Sequence, residues 1–196
     1  MKIGIYGGTF DPVHLAHLVL AEQCRDQLKL DEVWFIPAAT PPHKVGVTIA
    51  PAKQRLEMLE LALSGHPSFR ICKRELERSG PSYTVDTLRD LHTEFPEHEW
   101  FLLLGGDSVN DFSKWRAPDE IAALAKLVAV NRGSQPLEPN EREFLHVQMP
   151  ALDISGSNLR ARLQSHQSIR YLVPRAVEEY LRQNKLYQTD GQQQGS

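Results

Sequence analysis

"GGTFDPVHLAH", residues 7–17, follows the short apolar run Ile3, Ile5 and Tyr6 and opens a segment of helical period. A strand that ends in two glycines and hands over to a helix with two histidines in its first turn is suited to an anion. Glycine lets the backbone turn sharply and bring its amides against a phosphate, and a helix N-terminus adds unbonded N–H groups and a partial positive charge. In an open parallel sheet, ligands bind beyond the carboxyl ends of the strands where the strand order reverses, and the first strand flanks that crevice. Gly7 and Gly8 stand at that end of the first strand.

Outward from this stretch, short β-rich apolar runs alternate with longer segments of helical period. Strands are predicted at Lys2 to Tyr6, Glu32 to Pro37, Phe69 to Lys73, Trp100 to Leu104, Leu127 to Asn131 and Phe144 to Gln148. Helices are predicted within "HLAHLVLAEQCRDQL" (14–28) and at Ala52 to Ser64, Tyr83 to Glu94, Pro118 to Ala125, Ser157 to Gln164 and Pro174 to Asn184. This alternation is that of a Rossmann-like, doubly wound α/β fold: a mainly parallel sheet with crossover helices on both faces. "PAATPPHKVGVTIAP" (37–51) is too rich in proline for helix or central strand, and "NRGSQPLEPNER" (131–142) reads as a loop. At 196 residues one domain is expected, over 1–187, with a disordered tail over 188–196.

The formal net charge of −3 implies no general polyanion-binding surface, so nucleic acid is disfavoured as a partner and any anion must be held locally. The two cysteines, Cys24 and Cys72, fit neither a disulfide framework nor a zinc spacing, and read as reduced thiols. Neither a leader nor a membrane-spanning window is seen, so a cytoplasmic location with no membrane partner is expected. A homo-oligomer is compatible with the sequence.

His14 and His17 lie three apart and share a helix face that points back to the glycine turn, where they could donate to phosphate oxygens. A neighbouring phosphate would favour the imidazolium form. On the residues alone, two half-exposed helix-start histidines are the plainer reading, and zinc lacks further ligands at the right spacing. The glycines Gly4, Gly7 and Gly8 do not match G-x-G-x-x-G, and no P-loop is present. A second constellation, "DISGSNLRARL" (153–163), sets Ser155, Gly156, Ser157 and Asn158 at the start of a helix with Arg160 inside its first turn. That is either a second phosphate-competent helix end or an ordinary N-cap with an outward arginine.

Together, Gly8-Thr9-Phe10-Asp11-Pro12-Val13-His14-Leu15-Ala16-His17 and Ile154-Ser155-Gly156-Ser157-Asn158-Leu159-Arg160 resemble the paired motifs of the nucleotidylyltransferase superfamily. "PAATPPHK" (37–44), "PSYTVDTL" (81–88) and "LGGDSVNDFSKW" (104–115) resemble the bacterial nicotinate-nucleotide adenylyltransferases, and the resemblance runs to about Leu186. It implies adenylyl transfer from ATP to nicotinate mononucleotide, giving deamido-NAD and pyrophosphate. It also implies Mg²⁺ held mainly by the ATP phosphates. By that resemblance ATP is bound by Gly7, Gly8, Thr9, Phe10, His14, His17, Gly105, Asp107, Ile154, Ser155, Ser157 and Arg160, with His14, His17 and Arg160 serving catalysis. The mononucleotide falls to Lys44, to Ser82, Tyr83, Thr84 and Val85 at a helix start that suits a carboxylate, and to Trp115 stacked on the pyridine ring. Asp107 resembles the acid that contacts the nucleotide sugar, with a helix cap as its competing role, and Asp86 is expected to stabilise its own helix. Ala16, where the family usually has Gly, is expected to narrow the space beside the phosphate, and Gly156-Ser157 replace the commoner Ser-Thr. Another transferase of the superfamily, such as one using phosphopantetheine, and a non-catalytic nucleotide-binding module are the alternatives.

Overall fold

Six strands pair in parallel throughout, in the order β3-β2-β1-β4-β5-β6: β1 (Lys2–Gly8), β2 (Glu32–Pro37), β3 (Phe69–Ile71), β4 (Glu99–Gly105), β5 (Lys126–Arg132) and β6 (Leu145–Met149). This is the doubly wound Rossmann-like order, and it reverses between β1 and β4. The computed structural model describes residues 1–39, 50–132 and 142–188. Most of the proline-rich segment and of the 131–142 loop, and all but the first residue of the 188–196 tail, lie outside the described residues, as does Lys44.

Helices are α1 (Leu15–Leu28), α2 (Ala52–Leu63), α3 (Arg74–Glu77), α4 (Thr84–Glu94), α5 (Gly106–Asp111), α6 (Pro118–Leu124), α7 (Gly156–Gln164) and α8 (Arg175–Gln183). Two short helices, α3 and α5, are absent from the sequence reading because a single turn offers no apolar period to detect. The third strand ends at Ile71 rather than Lys73, giving way to α3.

The central strands are apolar almost without interruption because both of their faces are covered. In β4, Phe101 and Leu103 enter one core with Val33 and Phe35 of β2, while Trp100, Leu102 and Leu104 enter the other with Ile3 and Ile5 of β1. The first core is closed by Leu20, Ala21 and Cys24 of α1, Met58 and Leu59 of α2, and Val177 and Leu181 of α8. The second is closed by Val85, Leu88 and Leu91 of α4 and Ile121 of α6. Each such fully buried Leu, Ile or Met contributes about 1.5–3 kcal/mol over its exposed state.

The free edge of β6 is blunted by a side chain. The Gln27 amide donates to Gln148 O at 2.7 Å and accepts from Gln148 N at 3.3 Å, imitating one peptide of a neighbouring strand. At the other end of the fold α7 docks against the turn after β1 with little room to spare. A Cβ on Gly156 would lie 2.8 Å from Asp11 O and 3.3 Å from an Arg160 nitrogen. Gly156→Ala is therefore expected to cost about 1–3 kcal/mol, read as a midpoint several degrees lower in thermal unfolding; an unchanged midpoint would show that α7 is not pressed against the turn.

Candidate active site

The turn after β1 is made by Phe10, not by the glycines. Phe10 adopts φ 50, the left-handed region, and the next peptide, Asp11–Pro12, is cis. Gly8 is needed for another reason: a Cβ there would lie 2.9 Å from the Phe10 ring, which folds back beneath it. Gly7 has nothing within 4 Å of where its Cβ would be, leaving open space above the strand end.

His14 is the N-cap of α1 and His17 stands at its third position. The His14 amide donates to His17 Nδ1 at 3.2 Å, so His17 does for its own helix what Glu or Gln does in a capping box. The two rings stack with centroids 3.6 Å apart, His14 being only 3% exposed, and the edge of His17 meets Phe10 at 5.1 Å. With Nδ1 accepting this hydrogen bond, Nε2 is the His17 nitrogen left to donate outwards.

Asp11 and Arg55 brace this turn. Asp11, 3% exposed, accepts from Ala50 N at 3.0 Å and from the Tyr187 hydroxyl. Arg160 Nη1 donates to Asp11 O at 2.6 Å and lies 3.3 Å from its carboxylate. Arg55, 1% exposed, donates to Ala50 O at 3.1 Å, Thr9 O at 2.8 Å and Ala39 O at 3.1 Å. Burial lowers the Arg55 guanidinium from the usual arginine range, with Asp11 pulling the other way. Burial, and then the bond to Asp11, push the Tyr187 phenol up.

A cavity of about 1070 Å³ opens at the carboxyl ends of β1, β2, β4 and β5, where the strand order reverses. That is the upper end of the usual range for small-molecule sites, room for more than one nucleotide. Gly7, Gly8, Thr9 and His17 form its floor between the strands, Gly105 and Asp107 one wall, and Ser82 to Thr84 with Trp115 another. Among the described residues, no group of three or more His, Cys, Asp or Glu is placed to hold a metal ion.

A cytidylyltransferase-like family profile matches residues 5–162. A curated relative from Salinibacter ruber, described as "Probable nicotinate-nucleotide adenylyltransferase", is 44% identical over 191 residues, covering 95% of this chain and 98% of the relative. One of the same description from Thermus thermophilus is 46% identical over 187 residues, covering 95% and 100%. The chain belongs to the nicotinate-nucleotide adenylyltransferase family. Its fold is also that of the Plasmodium falciparum nicotinic acid mononucleotide adenylyltransferase complexed with NaAD, with a TM-score of 0.78 at 21% identity, covering 95% of this chain and 97% of that one.

Against the family motifs, the structure separates ligand-facing side chains from supporting ones. Of the two histidines His17 lines the cavity, while His14 is packed behind it. The side chains of Phe10, Val85 and Ile154 are core, and none of the three lines the cavity. Ala16 is buried in the core at 3% exposure and is not among the residues lining the cavity, against the expectation that it narrows the phosphate space. Ser155 caps α7 by accepting from Asn158 N at 3.2 Å, and lies 3.4 Å from the Ser157 hydroxyl. Arg160 reaches the leading segment, but through Asp11, and none of Ile154, Ser155, Ser157 and Arg160 is among the residues lining the cavity. Asp107 lines the cavity as a first-turn residue of α5, whose cap is Gly105, so the capping alternative falls. Asp86 sits in the first turn of α4 and pairs with Arg89 at 2.8 Å.

Among the lining residues that escaped the sequence reading are Glu75, Ser108, Asn110, Lys114, Arg116 and Asn131. Arg116 lies over the Tyr83 ring at 4.7 Å and 3.5 Å from Asp86. Its place beside Trp115 in "SKWRAP" was the available signal. Glu75 gave none, since "KRELER" (73–78) is charged at every position but Leu76 and nothing in it marks a buried acid. In ¹⁵N-resolved imidazole spectra His17 is expected as the Nε2-protonated tautomer at neutral pH; an Nδ1–H tautomer would contradict the helix-capping role that orients it.

Proposed function

We propose that this chain transfers the adenylyl group of ATP to nicotinate mononucleotide, releasing pyrophosphate and forming deamido-NAD, and that it does so in the cytoplasm. The observation that carries the reading is the cavity at the strand-order reversal, floored by Gly7, Gly8 and the Nε2–H of His17 and walled by Trp115 and the start of α4. The names of relatives matched over nearly their whole length support the substrates. The free cysteines Cys24 and Cys72 suit a reducing compartment.

The chemistry asks little of the protein in covalent terms. A phosphate oxygen of the mononucleotide bonds to the α-phosphorus of ATP while the bond from that phosphorus to the β-bridging oxygen breaks, its electron pair leaving with pyrophosphate. The attacking oxygen is already anionic, so alignment and charge stabilisation are the work. The Nε2–H of His17 donates to the α-phosphoryl group, the amides at the end of β1 and the start of α1 hold the phosphate chain, and His14 keeps His17 in place. Ser155, Ser157 and the arm of Arg160 not held by Asp11 receive the departing phosphates. Mg²⁺, held mainly by the ATP phosphates, would neutralise part of their charge. The adenosine lies along Gly105 and Asp107. Trp115 stacks on the pyridine, and its carboxylate meets the Thr84 and Val85 amides, which precede the first intrahelical bonds of α4.

Purified protein given ATP, Mg²⁺ and either nicotinate or nicotinamide mononucleotide is expected to release pyrophosphate with both, faster with the acid. Equal or reversed preference would contradict the assignment of the acid, and no pyrophosphate with either would contradict catalysis. His17→Ala is expected to lower turnover by about 10² or more; near-normal turnover would remove His17 from the mechanism.

A further inference from the structure

Glu75 is a buried carboxylate, 7% exposed, that lines the cavity and has no part in the mechanism above. Its neighbours are set out in one direction. The Thr87 hydroxyl donates to Glu75 Oε1 at 2.9 Å and is approached by Arg78 Nη1 at 3.4 Å. Ser82 Oγ accepts the Ala39 N–H at 3.2 Å, and the Ser82 hydroxyl lies near enough to the Glu75 carboxyl to favour its charged form. An ionised carboxylate only accepts, so the Thr87 hydroxyl proton is turned towards it and the Thr87 oxygen is left to take the Arg78 N–H.

Ser82 and Thr87 stand on either side of the first turn of α4, residues 83–86. One carboxylate thus holds Thr87 at the far end of that turn, with Ser82 beside it at the near end. Ser82 in turn holds Ala39, the last described residue before segment 40–49, while lining the cavity itself.

On the reading given under Proposed function, we infer that Glu75 is a positioning residue for the pyridine mononucleotide: by taking the Thr87 hydroxyl, with Ser82 beside it, it holds the Thr84 and Val85 amides at the angle that receives the substrate's carboxylate. Glu75 is retained there against its own cost. Burial raises its carboxyl above the ordinary range, partly offset by the Thr87 and Ser82 hydroxyls and by Arg78. An acid whose folded-state value is raised contributes most to stability below its unfolded value, and that contribution is lost as pH rises through the folded one. Glu75→Gln keeps the shape, removes the buried charge and removes one acceptor, so stability and substrate binding should part company.

The test is steady-state kinetics of wild type, Glu75→Gln and Ser82→Ala with both substrates varied, beside thermal midpoints from mildly acidic to neutral pH. Expected is a KM for nicotinate mononucleotide about tenfold higher in both variants, the loss of one hydrogen bond to a charged group, with the KM for ATP changed less than about twofold. The midpoint of Glu75→Gln should gain on wild type as pH rises. Unchanged mononucleotide KM in both variants, or KM values for both substrates rising together with a lower midpoint at every pH, would overturn the inference and leave the function standing. Wild-type protein that does not convert nicotinate mononucleotide would overturn both.

Discussion

The buried carboxylate of Asp11 ties together parts of the chain that are far apart in sequence. It takes the Ala50 amide where the segment after β2 rejoins the described chain, the Tyr187 hydroxyl near the C-terminus, and the guanidinium of Arg160 on α7. A carboxylate out of water is tolerable only when donors and a counter-charge meet it, and here Oδ1 takes both hydrogen bonds while Oδ2 faces Arg160 at 3.3 Å, each partner coming from a different part of the chain. Arg55 plays the complementary part, one buried cation collecting the carbonyls of Thr9, Ala39 and Ala50. Removing either group would leave several buried polar atoms unpaired at once, about 1–3 kcal/mol each. The shape of the turn between β1 and α1 is set by this pair more than by its own glycines.

The chemistry inherits that rigidity. His17 presents Nε2 to the cavity because its other nitrogen receives the His14 amide, so a local helix cap doubles as the device that selects the tautomer. A phosphate at this place, as proposed, meets an oriented N–H donor and the open end of a helix, with no acid in the first turn of α1 to oppose it. Such preorganised donors suit a reaction in which charge shifts between phosphoryl oxygens and no protein group is consumed. On the pyridine side, Glu75 does for the start of α4 what Asp11 does for the start of α1.

The sheet was legible in the sequence because strands buried on both faces are plainly apolar, and β1, β2, β4 and β5 lie where the runs Lys2–Tyr6, Glu32–Pro37, Trp100–Leu104 and Leu127–Asn131 put them, within two residues at each end. The site was legible only as a motif. Phe10, His14, Val85 and Ile154 belong to motif stretches, yet their side chains are buried, and nothing local tells a residue that touches ligand from one that supports it. Gly156 looks like turn chemistry until Asp11, 145 positions earlier in the sequence numbering of both residues, is found against it. Glu75 and Arg116 were missed for the same reason. Burial of the one and placement of the other over Tyr83 arise from packing between elements, which no periodicity records.

The most direct test of the account is a crystal structure with a non-hydrolysable ATP analogue and Mg²⁺. The account predicts the triphosphate across the ends of β1 and β4, with an α-phosphoryl oxygen within hydrogen-bonding distance of His17 Nε2. A triphosphate bound elsewhere, or one at that crevice with the His17 ring turned from it, would contradict it.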